Sequence, residues 1–365
     1  MELNLTNCHI RELPDDLGKL SSLESLLLGR NFFESIPTSI INLSKLSYLD
    51  LSFCERLKSL PKLPHELEGI DAHNCTSLKE VSNLPYLLCD LECLDAHGWT
   101  AEEVSSSLST RFPKTVLRNV RVNFSNCYRM DQNVLEEVVE DAMLEIQPSK
   151  ISMGIRSKGY LPHLSACICF SGIEIPNWFN FQSEGSSVTL LEASVPYGSK
   201  ICGFAVCAIV EFQNYHNERQ GLVVGYDYKF RRRRRNWTEV LHRGALKGWD
   251  YGTGPEFVDS HHVFLGFDFR PQLPENRPYP SALVTTIQFY VEDLNAKRIG
   301  CCNVKKCGAY FIYDGQRSPI KVTSPFDRKV DKKKEKEKEK EKEKEETHSK
   351  RLKISNSFKG ESSSR

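Results

Sequence analysis

Thirteen cysteines are the first residues of this 365-residue chain with obvious chemical potential. A thiol acts as nucleophile, metal ligand or half of a disulfide according to its neighbours. Cys301 and Cys302 are adjacent, Cys167 and Cys169 flank a single residue, and no Cys-x-x-Cys pair occurs. Structural zinc sites are built on such pairs, so no metal is expected. An odd number of cysteines scattered through apolar segments fits reduced, buried thiols in the cytoplasm or nucleus better than a disulfide framework. Five Asn-x-Ser/Thr sequons, at Asn4, Asn42, Asn74, Asn123 and Asn236, point the other way, but they matter only on a secretory route. The N-terminus shows neither a basic leader nor a long apolar run. The most apolar stretch, Ile201 to Val210, is far short of the roughly 20 residues a membrane helix needs, and reads as a buried strand.

Acid–base chemistry finds little support. His261 and His262 lie near Asp259, but adjacent residues on a strand point to opposite faces and do not share a site. Asp268 and Asp293 have no evident partner, so catalysis is not expected. The five consecutive arginines Arg231, Arg232, Arg233, Arg234 and Arg235 fit a nuclear-localisation signal or an anion-binding patch, with Trp237 as a stacking face. A solvated hairpin loop is the simpler reading, and no surrounding motif argues for nucleic acid. No Gly-x-x-x-x-Gly-Lys-Ser/Thr loop is present, so neither a nucleotide switch nor any other cofactor is expected. From Lys332 to Glu346 only Lys and Glu occur, with like charges at i and i+4 and nothing apolar to bury. Residues 325–365 are therefore expected to be a disordered tail. The net charge of +1 implies no partner by itself.

Repetition organises the rest. Leu3, Leu5, Cys8 and Leu13-Pro14 recur as Leu26, Leu28, Asn31 and Ile36-Pro37, and again as Leu49, Leu51, Cys54 and Leu60-Pro61. A degenerate unit follows at Leu67, Ile70, Ala72, Cys75 and Leu78, with an echo at Leu91, Leu94, Ala96 and Trp99. This is the pattern L-x-x-L-x-L-x-x-N/C of a leucine-rich repeat. Alternate leucines of a short strand point inward, the Asn or Cys turns the chain, and the Leu-Pro step returns it on the convex side. Prolines recurring in register exclude amphipathic helices. Residues 1–98 are thus read as a solenoid, and further repeats are expected before Met1, because one face of a stack must otherwise lie open.

After about Thr100 the period is lost. Residues 99–165 read as a connector with one helix, at about 132–147, where Val134, Leu135, Val138, Val139, Ala142, Met143 and Ile146 recur at three- and four-residue spacing. From Ala166 to about 324, short β segments punctuated by Gly, Pro, Asn and Asp predict an antiparallel β-sandwich. The expected strands are Ala166–Phe170, Ser187–Leu191, Ile201–Phe212, Leu222–Phe230, His262–Phe269, Val284–Val291 and Ala309–Tyr313. Trp178 and Phe179 are expected as core anchors. The whole is mainly β: a short solenoid, a sandwich and a charged tail.

Blocks of this second region carry a resemblance. They are Phe124-Ser125-Asn126-Cys127-Tyr128-Arg129-Met130-Asp131-Gln132, Ile173-Glu174-Ile175-Pro176-Asn177-Trp178-Phe179, Ser183-Glu184-Gly185-Ser186-Ser187, Gly203 to Val210 and Lys306-Cys307-Gly308. Together with the Leu-Pro repeats they resemble the post-repeat jelly-roll/Ig-like domain, and the end of the repeat array, of plant intracellular immune receptors with an N-terminal TIR domain. The resemblance covers roughly residues 1–324. It implies recognition of a pathogen effector protein, or of a guarded host protein, with oligomerisation only in a complete receptor. It implies no membrane partner, and the NAD-cleaving TIR domain of that family is absent from this chain. A non-signalling repeat scaffold or decoy is the alternative. On a repeat the docking surface is the concave row between inward leucines. That row offers Tyr48, Asp50 and Asp71, with Arg30 and His73 just beyond. Tyr and Arg are enriched in interface hot spots. With Arg231 to Arg235 on the sandwich, these residues are expected to form one surface.

Overall fold

The computed structural model describes residues 1–82, 120–131, 165–191, 201–218, 220–233, 237–268 and 284–313. Seven short strands build the repeat region: β1 (Glu2–Asn4), β2 (Ser25–Leu27), β3 (Tyr48–Asp50), β4 (Ser59–Leu60), β5 (Gly69–Asp71), β6 (Glu80–Val81) and β7 (Val120–Phe124). β1, β2, β3, β5 and β7 pair in parallel, with Leu3, Leu26, Leu49, Ile70 and Val122 opposite one another. Pro14 and Pro37 cap single 3-10 turns, Asp15–Lys19 and Thr38–Asn42, on the convex side. A ring-fixed φ suits the entry to such a turn, which explains the recurring Leu/Ile-Pro step.

The Asn/Cys position works as a rung. Asn31 is buried; it accepts a hydrogen bond from the Ile10 N–H (2.9 Å) and donates to the carbonyls of Leu5 (2.9 Å) and Leu28 (2.8 Å). Cys54, Cys75 and Cys127 donate their thiols to the carbonyls of Leu28, Leu51 and Ala72, at 3.3, 3.1 and 3.1 Å. Burial pushes the Cys54 thiol up to about 12 and that of Cys75 well above its ordinary value. These are structural thiols, each engaged by a carbonyl of the neighbouring rung.

A second ladder runs beside it. Asn7, Arg30, Phe53, Asn74 and Asn126 all take left-handed backbone, with φ between 57° and 60°. That conformation is unfavourable for Arg and Phe. It persists because it aims each N–H at the next rung: Asn7 to the Gly29 carbonyl (2.9 Å), Arg30 to Ser52 (2.7 Å), Phe53 to His73 (2.9 Å) and Asn74 to Ser125 (2.9 Å).

Residues 120–131 are therefore a fifth rung, 52 positions after the fourth. The expectation that repeat character ends near Thr100 missed it. The echo at Leu91 to Trp99, the helix at 132–147 and the tail from 325 lie outside the described residues.

The sandwich strands are β8 (Ser165–Ser171), β9 (Phe181–Glu184), β10 (Ser187–Leu191), β11 (Ile201–Phe212), β12 (Tyr215–His216), β13 (Leu222–Arg233), β14 (Trp237–Trp249), β15 (Phe257–Val258), β16 (His261–Asp268), β17 (Val284–Glu292) and β18 (Cys302–Tyr313). β7 pairs in parallel with β8, and β8 pairs antiparallel with β16. Solenoid and sandwich thus share one ten-stranded sheet, β1-β2-β3-β5-β7-β8-β16-β11-β18-β9, faced by a four-stranded sheet, β10-β17-β13-β14. Between them lie Phe204, Val206, Ala208, Val210 and Phe212 of β11 with Val224, Tyr226, Leu246, Ile287 and Phe289 of the second sheet. Cys167 and Cys169 belong to this core too, and Cys167 pairs with Arg121 of the concave row. The concave face of the repeats therefore runs on as the inner face of the sandwich. β14 packs over β7, β8 and β16, so the second sheet begins as a wall where the open repeat face ends.

On the opposite face, Trp178 stacks on Phe179 (4.0 Å between centroids) and meets Tyr310 edge-on, all three buried, as expected of core anchors.

Candidate docking surface at the repeat–sandwich corner

The floor of the corner is set by side chains that cap their own strands. Asn4, Asp50, Asp71 and Asn123 each accept, on Oδ1, the N–H two residues on: Thr6 (3.0 Å), Ser52 (2.9 Å), His73 (3.1 Å) and Ser125 (3.1 Å). Short Asx side chains provide this turn, which is why they recur at the strand ends. The Oδ1 of Asp71 also accepts His73 Nδ1 (2.7 Å) and Asn123 Nδ2 (3.1 Å). Asp71 and His73 are both buried, the His73 ring standing edge-on to Phe53 at 5.0 Å. Of the residues expected to dock, these two form the frame beneath the surface.

Tyr48 remains exposed. Its ring lies over Gly69, where an added Cβ would stand 2.8 Å from Tyr48 Cδ2. Glycine therefore lets the ring lie flat on the floor, a cross-strand aromatic–glycine pair. The same device recurs at Tyr226 over Gly244 and Tyr290 over Gly225. Burial and the neighbouring Asp71, Asp50 and Asp250 raise the Tyr48 hydroxyl well above its ordinary value, keeping it neutral. Asp50 is likewise raised, by burial first, with Ser52 opposing and Asp71 adding to the shift.

The wall rises at the end of β14. Asp250 forms ion pairs with Arg121 of β7 and with Lys247 (2.7 Å). Burial alone would raise the Asp250 carboxyl, but Lys247 and Arg121 hold it below its usual range. Arg30 reaches across from the second repeat: its Nη2 donates to Glu256 Oε1 (2.9 Å) while its guanidinium sits 3.9 Å above the Phe53 ring. Such exposed pairs contribute at most about 1 kcal/mol each, so they fix orientation more than stability.

The buried part of the junction is Asn126. Its N–H cannot reach another rung and donates instead to His262 Nε2 of β16 (3.0 Å). Its Nδ2 donates to Asn74 Oδ1 (2.8 Å) and the Phe257 carbonyl (2.9 Å), and its Oδ1 accepts the Tyr128 hydroxyl (2.8 Å). Beside it stand exposed aromatics, Tyr128 and Phe257; Tyr251, which follows Asp250 in the wall, is exposed too and donates its hydroxyl to Asn295 (3.1 Å).

The arginine run is not brought here. Arg231, Arg232 and Arg233 belong to β13 and pair with Glu239, Thr238 and Trp237; Arg234 and Arg235 lie outside the described residues. At about 3.3 Å per residue, Glu239 is roughly 35 Å along β14 from Asp250. The expected single surface of Tyr48, Arg30 and the arginines is therefore divided. Sequence reasoning also missed Arg121, Asn126, Asp250 and Glu256, and it considered His262 only as a residue without catalytic work. Asn126-Cys127 repeats Asn74-Cys75 and could have revealed the fifth rung, whereas the wall residues sit in turns without a signature. Among the described residues, no group of His, Cys, Asp or Glu is arranged to hold a metal.

Comparison with known proteins bears on what this corner serves. Residues 170–361 match the C-JID domain, and residues 1–55 match a leucine-rich repeat. Curated relatives in Arabidopsis thaliana include Disease resistance protein RPP2B, 32% identical over 90% of this chain and 26% of its own length. Disease resistance-like protein DSC1 is 30% identical over 86% of the chain and 24% of its own length. Disease resistance protein RPS4 is 25% identical over 81% and 23%. The chain thus spans about a quarter of the length of the curated relatives it matches.

Proposed function

The chain belongs to the C-JID family, its C-JID segment preceded by leucine-rich repeats, and on that premise we propose that it is the sensing part of a plant immune receptor. A pathogen effector protein, or a host protein under guard, docks in the corner between the concave repeat floor and the sandwich wall. The chain's part is recognition, with no catalytic step of its own, in the cytoplasm or nucleus. The relatives' names support a role in disease resistance. The continuity of the ten-stranded sheet carries the rest: floor and wall are held as one surface by Asn126–His262, Arg121–Asp250 and Arg30–Glu256, with Tyr48 exposed on the floor and Tyr251 exposed next to Asp250 in the chain. A preformed surface loses less entropy on binding than one assembled by its partner. In the complete receptor, docking would favour the signalling state only by binding it more tightly than the resting state.

The test uses the complete receptor and its matched effector. Tyr48→Ala and Tyr251→Ala are each expected to weaken binding by about tenfold or more, the cost typical of a hot spot, while circular dichroism stays unchanged. Wild-type affinity in both variants would remove the corner from the docking site.

A further inference from the structure

Two thiols converge at the start of β18. Cys301 Sγ and Cys302 Sγ lie 4.0 Å apart. Neighbours on an extended strand point to opposite faces, so the approach needs a turn. One is present: the Cys302 N–H donates to the Ile299 carbonyl (3.4 Å), and the Cys301 carbonyl accepts the Gln213 N–H (3.0 Å). Cys301 is half-buried at the edge of the core, whereas Cys302 is buried, pairs with Phe212 and has its thiol raised by that burial, so it keeps its proton until it reacts. The other described cysteines differ. Cys54, Cys75, Cys127, Cys167, Cys169, Cys207 and Cys307 are buried, and exposed Cys8 has only the Thr6 carbonyl beside it (3.7 Å).

We propose that Cys301–Cys302 is a modification site, at which a small hydroperoxide closes a vicinal disulfide. The Cys301 thiolate attacks the terminal peroxide oxygen; the O–O bond breaks, an alcohol or water leaves with a proton, and Cys301 becomes a sulfenic acid. Cys302 Sγ then attacks the Cys301 sulfur. The S–O bond breaks, hydroxide leaves as water with the Cys302 proton, and the S–S bond forms. The pair supplies the two electrons the peroxide consumes. The sulfurs close from 4.0 Å to about 2 Å, and the small ring twists the peptide between them. Both backbone hydrogen bonds of the turn are then disturbed, next to Phe212, whose ring meets His262 edge-on at 5.5 Å. Oxidation would therefore act on the strand end beside the buried junction.

The full chain is treated with hydrogen peroxide at near-equimolar dose, free thiols are blocked with iodoacetamide, and the peptide holding Cys301 and Cys302 is weighed. It is expected to lose two hydrogens and take no label, then to take two labels after dithiothreitol. Cys8 serves as the unpaired control, trapped by dimedone as a sulfenic acid. In Cys302→Ser, Cys301 should become dimedone-reactive. As a second measurement on the unaltered protein, phenylarsine oxide, which bridges only neighbouring thiols, should shield both cysteines from iodoacetamide. Both thiols still free while Cys8 is oxidised would overturn the proposal. So would Cys301 over-oxidised beside a free Cys302, or an arsenical that shields neither.

Discussion

His262 is where the left-handed ladder of the repeats ends, and its titration should be visible in the stability of the whole protein. The side chain is fully buried, with Nε2 accepting the Asn126 N–H at 3.0 Å and Ser171 Oγ 3.2 Å from the same nitrogen. An accepting nitrogen requires neutral imidazole. Burial pushes the pKa down to about 4 from 6.5, against a smaller raising effect of the Ser260 backbone. Above about pH 6.5 both folded and unfolded chains carry a neutral ring, and the stabilisation is fully present. As pH falls from there to about 4, only the unfolded chain takes the proton, so stability is progressively lost. At about 1.4 kcal/mol per unit, the window corresponds to roughly 3 kcal/mol.

The comparison that isolates this effect is His262→Gln, which keeps an acceptor near the Asn126 N–H and removes the titration. Denaturant unfolding of both proteins at intervals from pH 7.5 to 4 provides the measurement. The variant should be less stable at pH 7.5 by about 1–2 kcal/mol, as an imperfect hydrogen bond and changed packing cost in a core. The gap should then close and reverse as the pH falls, by about 3 kcal/mol in all. Asp50 and Asp250, whose shifts run in opposite directions, titrate alike in both proteins and cancel. Parallel pH profiles would refute the buried neutral histidine and with it the account of the junction.

Residues 1–82 expressed alone should show no cooperative melt by circular dichroism, because the Asn74 N–H loses the Ser125 carbonyl and β5 loses β7; a reversible, cooperative transition would show that the fifth rung is dispensable. Trp178→Ala should lower unfolding free energy by roughly 3–5 kcal/mol, since it empties the stack with Phe179 and Tyr310; an unchanged denaturation midpoint would put Trp178 outside the core. Gly69→Ala should cost on the order of 1 kcal/mol by lifting the Tyr48 ring, and Tyr48→Ala in the same chain should remove most of that penalty. Additive losses in that double-mutant cycle would mean the ring does not lie on Gly69.

What could be read in the sequence follows from what leaves a periodic trace. The leucine positions, the Asn/Cys rung and the Leu-Pro turns recur because every unit solves the same packing problem, and the structure places them in register. The fifth rung obeys the same rule, but its 52-residue offset hides it from a search at fixed period. Strand β14 escaped for a different reason. Of its inward positions near the repeats, Gly244 and Gly248 carry no side chain, Tyr226 and Leu222 covering them from the neighbouring strand, so the apolar alternation that marks a strand is missing. Among the site residues, Tyr48 was legible because concave-row positions follow from the repeat itself. Asp71 and His73 were misplaced because the pattern gives the direction of a side chain and not what a neighbouring rung lays over it. The wall was not legible at all: pairing of Arg121 with Asp250 across 129 residues is a product of the tertiary fold.

Two of the five sequons, at Asn4 and Asn123, have a structural explanation in the same ladder. Asn4 and Asn123 accept the N–H two residues on, from Thr6 and from Ser125, whose hydroxyl also donates to Asn123 at 2.7 Å. An Asn that turns the chain by bonding a following Ser or Thr writes Asn-x-Ser/Thr as a by-product of turn chemistry. Asn74 accepts from Asn126 across the rungs, and Asn123 is buried with its Nδ2 on Asp71. A glycan on the Asn123 nitrogen would break that bond and force the fourth and fifth rungs apart, so a chain carrying one there could not close onto β8. The thiols of Cys54, Cys75 and Cys127 are rungs, each donating to a carbonyl of the preceding repeat. The sequons at Asn4 and Asn123 are the turns between those rungs.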